Sequence, residues 1–282
     1  MTYDIMSKGK LVLVPSGGLA NRMRAVASAY HLCAATESRL QVVWFRDWAL
    51  NAAFRDIFEP VDGSLLSLRE ARWWDFAVND RPRRRNLWLP SAAQRMLYGR
   101  RLYEHHIGEI RDRGFDFEGW QRGHRCYMSC CQVFGDFPGS IYKMLFRPVG
   151  SVAGRVAENT DRFSAHTIGM HIRRTDNQRS IDRSPTRLFI EAGRKELEQH
   201  PDLKIFLATD SEDVKAELRR EFGSIVMTPE AEACRDSVDG IRGGLTDMYT
   251  LACTDRIYGS ACSSFSEMAA AIGGKELKVL EL

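Results

Sequence analysis

The chain has 282 residues, of which 44% are hydrophobic and 27% charged, and its formal net charge is +3. That is enough apolar material for one large domain or two ordinary ones with a sizeable core, so neither disorder nor dependence on metals or disulfides is expected. The small net charge argues against a nucleic-acid partner, and no run of about 18 apolar residues offers a transmembrane segment.

The seven cysteines are odd in number and show no paired C-x-x-C spacing. Cys126, Cys130 and Cys131 form the one cluster, while Cys33 and Cys253 fall in apolar helical patterns. They read as reduced thiols. Met1 to Lys10 contains no apolar core of a signal peptide, so a cytoplasmic location is expected.

In chain order, Lys10 to Pro15 is a valine-rich apolar run that predicts a strand. Ser16-Gly-Gly-Leu-Ala-Asn-Arg-Met-Arg24 leads from it into a helical pattern reaching Ala35. Gly17 and Gly18 allow backbone amides to approach a ligand, and a helix starting near Asn21 turns its positive end to the same place. The loop lacks the defining residues of a dinucleotide fingerprint or a P-loop. A purely structural turn is the other reading. Ser38 to Phe45 predicts a second strand, making a strand-helix-strand unit and favouring a parallel, Rossmann-like sheet.

From Arg46 to Gly123 the pattern is less regular. Trp48, Trp73, Trp74, Trp88 and Trp120 are scattered among arginines; core packing is expected for most of them, with stacking on sugar rings the use of any that are exposed. Arg81-Pro-Arg-Arg-Arg85, with Arg95, Arg100 and Arg101, is the most basic stretch and reads as a solvated face, or else as a contact for an acidic or sugar acceptor. His105-His106 and His124-Arg-Cys126 fit no zinc spacing and read as surface histidines, so no metal site is expected. Cys126 to Phe134 predicts a buried strand, and Ile141 to Phe146 a helix. The breakers at Pro148 to Ser151 mark a boundary between an N-terminal domain, 1–148, and a C-terminal domain, 149–282.

The second half predicts strands at Thr167 to Ile172, Lys204 to Ala208, Ser224 to Met227, Arg256 to Gly259 and Leu277 to Leu280, with helices between them. That is a second Rossmann-like sheet. The expected architecture is α/β, with two lobes, parallel sheets and a cleft between them.

The first of these strands runs into Arg173, Arg174 and Asp176, which delivers charge to the carboxyl edge where α/β sheets bind ligands. Alternation puts His171 and Arg173 on one face and Arg174 on the other. An arginine there suits a diphosphate, through two parallel charge-assisted bonds; an ion pair with Asp176 is the alternative. Asp210 and Ser211 end the second strand. Both are plausible helix caps, and Asp210 could also accept from a guanine ring N–H and amine. Ser263, Ser264 and Ser266 cluster where a strand turns into a helix, forming a second phosphate candidate at the same edge.

Four stretches together resemble the fucosyltransferase superfamily that includes the nodulation protein Z type α-1,6-fucosyltransferases and the protein O-fucosyltransferases. They are Gly17-Gly-Leu-Ala-Asn-Arg22, His171-Ile-Arg-Arg-Thr-Asp176, Ala208-Thr-Asp-Ser211, and Asp247-Met-Tyr-Thr-Leu-Ala-Cys253 continuing into Gly259-Ser-Ala-Cys-Ser-Ser-Phe-Ser266. The resemblance implies a GT-B glycosyltransferase that uses GDP-fucose as donor, needs no cofactor, and transfers to a glycan or other hydroxyl acceptor by an inverting single displacement. By motif position it implies Arg173 as the pyrophosphate arginine and His171, Arg174 and Asp210 near the donor. It further implies Ser263, Ser264, Phe265 and Ser266 around the phosphates, with Gly17, Gly18, Asn21 and Arg22 approaching from the N-terminal side. For the general base it implies Asp182 or Asp176, because the position of the glutamate found in core α-1,6 enzymes is Ile181 here. No Asp-x-Asp is present, which speaks against a metal-dependent glycosyltransferase. A non-catalytic lectin or nucleotide-binding module, or a transferase using another GDP-sugar, is the other reading.

Overall fold

The computed structural model describes residues 9–61, 63–79, 88–175, 177–229 and 236–282. Two compact units divide the chain, Met1–Arg147 and Pro148–Leu282. In the first, strands β1 (Lys10–Pro15), β2 (Arg39–Trp44), β3 (Leu66–Glu70), β4 (Arg100–Leu102) and β5 (Arg125–Cys130) form one sheet in the order β3-β2-β1-β5-β4. Every pairing is parallel. Leu11 to Val14 of β1 are buried, as expected of a central parallel strand covered on both faces. β2 and its partner β1 lie where the periodicity predicts them. β5 is shorter than expected and ends at Cys130 rather than Phe134. β3 and β4 fall in the irregular region, β4 being only three residues long and made of Arg100, Arg101 and Leu102.

The second unit repeats the scheme with β6 (Thr167–Ile172), β7 (Lys204–Thr209), β8 (Val226–Met227), β9 (Arg256–Ser260) and β10 (Glu276–Leu280), ordered β10-β9-β6-β7-β8 and again parallel. Counted within its own half, this is the order 3-2-1-4-5 of a doubly wound nucleotide-binding sheet. The chain leaves β6 toward β7 and β8, then crosses back to place β9 on the other side of β6. The carboxyl ends of β6 and β9 therefore flank the switch point, where such sheets open a ligand crevice.

β6 is buried along its whole length, and its two faces do different things. Ile168, Met170 and Ile172 join the core formed with Phe189, Leu207 and Phe222. On the opposite face, Gly169 lets the helix Val238–Cys253 approach: a Cβ there would meet the Leu251 Cδ2 at 2.7 Å and the Thr254 Oγ1 at 2.9 Å. Only glycine permits that spacing. No helix among the described residues is long and apolar enough to cross a membrane.

Candidate functional site

The carboxyl edge of the second sheet collects most of the residues singled out above. The β6 register sets His171 beside Gly259 of β9 and Ala208 of β7. At the strand end, the Arg173 backbone N–H donates to the Ser260 hydroxyl at 3.3 Å, and that hydroxyl donates to the His171 carbonyl at 3.3 Å. The arginine is thereby tied to the segment that leads into the helix Ser264–Gly273.

Ser263 holds the N-cap position of that helix, but its hydroxyl makes no capping bond. It lies 3.3 Å from Nδ1 of His171 instead. The first-turn amides are thus left without side-chain capping at an edge already carrying Arg173, an arrangement suited to an anion. Phe265 stacks on the His171 ring, with centroids 4.6 Å apart and planes at 22°. Burial, and next the positive charge of Arg173, lower the His171 pKa to about 4. At neutral pH the imidazole is uncharged, with one nitrogen engaged by Ser263. Cys262, just before the cap, holds φ at 55°, a left-handed conformation uncommon for a side-chain-bearing residue, and its carbonyl accepts from Asn177 Nδ2 at 3.0 Å.

Arg174 and Asp210 are committed locally. The Arg174 guanidinium donates to the carbonyls of Arg173 and Ser184 at 2.8 and 2.7 Å and to the Thr186 hydroxyl at 3.1 Å. Asp210 accepts from the Arg174 and Thr175 backbone N–H groups at 2.7 and 3.2 Å and from the Thr175 hydroxyl at 2.6 Å. It fastens the β6 loop to β7, while Ser211 caps the helix Glu212–Phe222. Asp182 is exposed on the short helix Gln178–Arg183 and accepts from Gln178 at 2.7 Å. The buried side of that helix carries Ser180, and buried Ser184 follows as its C-cap. Asp176, the other base candidate, lies outside the described residues.

The helix that packs on Gly169 carries one buried acidic group. Asp247 lies four residues before Leu251, so the two share a helix stripe about 6 Å apart along the axis. The helix runs opposite to the strands it connects, and Leu251 packs on Gly169. One helical turn toward its start leads from Leu251 in the direction of the carboxyl edge. It is 7% exposed, and its Oδ1 is buried without a hydrogen-bond partner. Burial pushes its pKa up to about 8, against a weaker opposing pull from Lys215. The signal available in sequence was a lone carboxylate on an otherwise apolar helix face.

In the first unit, the loop after β1 has the shape the glycines suggest. Gly17 adopts φ +79°, open to glycine and strained for other residues, and Gly18 is the N-cap of the helix Leu19–Ala35, which starts two residues earlier than expected. Arg22, however, is fully buried. Its guanidinium donates to the carbonyls of Gly17, at 2.8 Å, and Phe45, pairs with Asp47 at 2.9 Å and lies over the Trp44 ring. Nε and Nη1 are thus engaged in holding the loop, while the buried Nη2, beside Asp47, makes no hydrogen bond. Asn21 accepts from Arg24 at 2.7 Å. Glu104, which the sequence did not single out, accepts from the Ser16 hydroxyl at 2.9 Å and the Cys131 thiol at 3.0 Å at the β1–β5 switch point.

Other expectations resolve simply. His105, His106 and His124 are exposed. Arg100 and Arg101 donate to the carbonyls of Gly119, Trp120 and Tyr98 rather than forming a solvated face; Arg81 to Arg85 lie outside the described residues. Trp48, Trp73 and Trp74 are 50%, 81% and 40% exposed, against the expected core packing. They follow β2 and β3, at that sheet's carboxyl edge. Burial pushes the Cys130 and Cys126 thiols up to about 12 and 11, which keeps both protonated.

No protein-family model matches the sequence, and neither does any curated protein. Solved structures do match. The NodZ α-1,6-fucosyltransferase soaked with GDP-fucose aligns with a TM-score of 0.63 at 16% identity, over 94% of this chain and 93% of that one. A mutant FUT1 from Arabidopsis thaliana in complex with GDP gives 0.64 at 14%, over 97% and 70%. POFUT1 in complex with GDP-fucose gives 0.57 at 11%, over 96% and 97%. At such identities the likeness is one of fold: the chain has the GT-B fold of these fucosyltransferases, as its motifs led one to expect.

Proposed function

We propose that this chain is an inverting glycosyltransferase that moves L-fucose from GDP-fucose to a hydroxyl acceptor without a catalytic metal. The observation that carries the reading is the convergence of Arg173, the helix start at Ser263 to Ser266 and neutral His171 on one switch point, with a buried Asp247 carboxyl whose Oδ1 has no hydrogen-bond partner in the same unit. The same fold in proteins solved with GDP and GDP-fucose supports it.

In this reading the helix amides and Arg173 take the diphosphate, whose charge grows as the acceptor oxygen bonds to the anomeric carbon and the bond to the β-phosphate breaks. His171, uncharged and stacked on Phe265, flanks the nucleoside. The guanine ring N–H and exocyclic amine go to Asp247. Asp210 was the expected partner, but its carboxylate already holds the β6 loop, whereas Asp247 has a buried oxygen with no donor. Arg174 positions that loop. The acceptor proton goes to Asp176 or Asp182; we place Asp176 first, because Asp182 is exposed and turned away from buried Ser180 and Ser184.

The N-terminal unit is assigned the acceptor. Exposed Trp48, Trp73 and Trp74 are suited to stacking on sugar rings. A reducing cytoplasmic setting fits the six described cysteines, which are all free thiols.

Calorimetry with GDP, GDP-fucose, UDP and a UDP-sugar tests the donor assignment. GDP and GDP-fucose are expected to bind at least tenfold more tightly than the uridine nucleotides, with the preference lost in Asp247→Asn. Equal affinity for UDP removes the guanine reading.

A further inference from the structure

The amino edge of the second sheet gathers a different set of side chains. His166 immediately precedes β6, Glu196 sits in the last turn of the helix Thr186–Gln199, and His200 ends that helix. Nε2 of His166 is 3.0 Å from Oε2 of Glu196, and the His166 and His200 rings stack with centroids 3.5 Å apart and planes at 22°. One ligand atom from each of the three lies within 4.8 Å of the other two. A tetrahedral zinc ion with bonds of about 2.0–2.2 Å holds its ligand atoms about 3.3 Å apart. The His166–Glu196 pair is already near that separation, and moving the His200 ring nitrogen by about 1.5 Å completes the set.

The carboxylate is prepared for this role. Its Oε1 accepts from the Tyr258 hydroxyl at 2.5 Å and from Arg256 at 3.1 Å, which fixes the group and leaves Oε2 toward the imidazoles. Burial pushes the Glu196 pKa up, but the hydrogen bonds from Tyr258 and His166 outweigh it, so the group stays ionised. The positive charge of Arg256 is shared with Glu276, 2.9 Å away. Two imidazoles and one carboxylate are a borderline ligand set.

We propose that His166, Glu196 and His200 bind a divalent ion of the zinc class, with a fourth position open to water. The ion ties the start of β6 to the turn entering β7, where the Lys204 N–H already donates to the His166 carbonyl at 3.0 Å. Because β6 runs about 20 Å from this edge to the nucleotide edge, the site is independent of the transfer reaction.

The test is cobalt(II) titration of the chelator-stripped full chain, followed by zinc competition and melting. Expected are one ion per chain, visible bands of a four-coordinate nitrogen and oxygen set, displacement by zinc, and a rise in Tm of about 5 °C at a hundredfold excess of zinc over its Kd. Glu196→Gln and His200→Ala should abolish the bands. Should buried Glu196→Gln fail to fold, half-buried His200→Ala still decides the matter. Bands unchanged in folded His200→Ala, a sulfur-to-cobalt charge-transfer band, or no retained ion would each overturn the proposal.

Discussion

The Ser263 hydroxyl spends itself on Nδ1 of His171, 3.3 Å away, rather than on the helix it begins. One serine thereby orients an uncharged imidazole and leaves a helix start available to an anion. Ser263→Ala removes a partner from a buried ring nitrogen, a change of about 1 to 2 kcal/mol. GDP affinity should fall about tenfold by calorimetry while circular dichroism stays native. Unchanged affinity in a folded variant would separate His171 from the nucleotide.

Arg173 and Arg174 should divide function from stability. Arg173→Lys keeps charge but loses the planar two-point donor, so turnover should fall a hundredfold to a thousandfold, or about 3 to 4 kcal/mol, with little change in melting. Arg174→Lys breaks contacts with Ser184 and Thr186, so its main effect should be a lower Tm with a smaller kinetic loss. Near-native turnover of Arg173→Lys beside an inactive, folded Arg174→Lys would reverse the assignment.

Asp247 should cost the free protein stability. Its pKa is about 8 in the folded chain against an ordinary value of 3.8, so between those pH values the folded state holds more protons than the unfolded one. Stability from this group therefore falls as pH rises through that window. Asp247→Asn should flatten the fall, stabilising the chain at pH 8 while weakening GDP binding tenfold to a hundredfold. Melting curves against pH check the first effect and calorimetry the second. His171 works in the other direction: with a folded pKa near 4 against 6.5, it is protonated first in the unfolded chain, and stability on the order of 3 kcal/mol is lost as pH falls from 6.5 to 4.

Arg22→Met should destabilise the first unit by about 3 kcal/mol, because it orphans the carbonyls of Gly17 and Phe45 and leaves Asp47 without its partner. Denaturant melts read this directly. A variant as stable as the parent would mean that Arg22 is not the latch of the loop.

Which of these features the sequence disclosed follows from physics. β6 and β7 were visible because strands buried on both faces are continuous apolar runs, and Arg173 because charge after such a run marks a carboxyl edge. β4 was not, since three residues with two arginines carry no period. The local hydrogen bonds of Arg22 and Asp210 were hidden for a shared reason. A charged side chain beside a glycine loop or at a strand end looks alike in sequence whether it faces a ligand or ties down neighbouring backbone, and only the fold reveals the carbonyls behind Arg22 and the amides before Asp210. Glu104 and the His166–Glu196–His200 cluster were hidden because their partners are distant in the chain.

The most direct measurement is proton NMR of the anomeric region during incubation of the chain with GDP-fucose and a glycan panel, under chelation and at a temperature where the fold is intact. The account predicts loss of the β-linked donor signal, stoichiometric appearance of GDP, and a new α-linked fucose on one acceptor class, all absent with Arg173→Lys on the same timescale. Tight GDP-fucose binding with no turnover on any acceptor, product that retains the donor configuration, or turnover that needs added magnesium or manganese would contradict it.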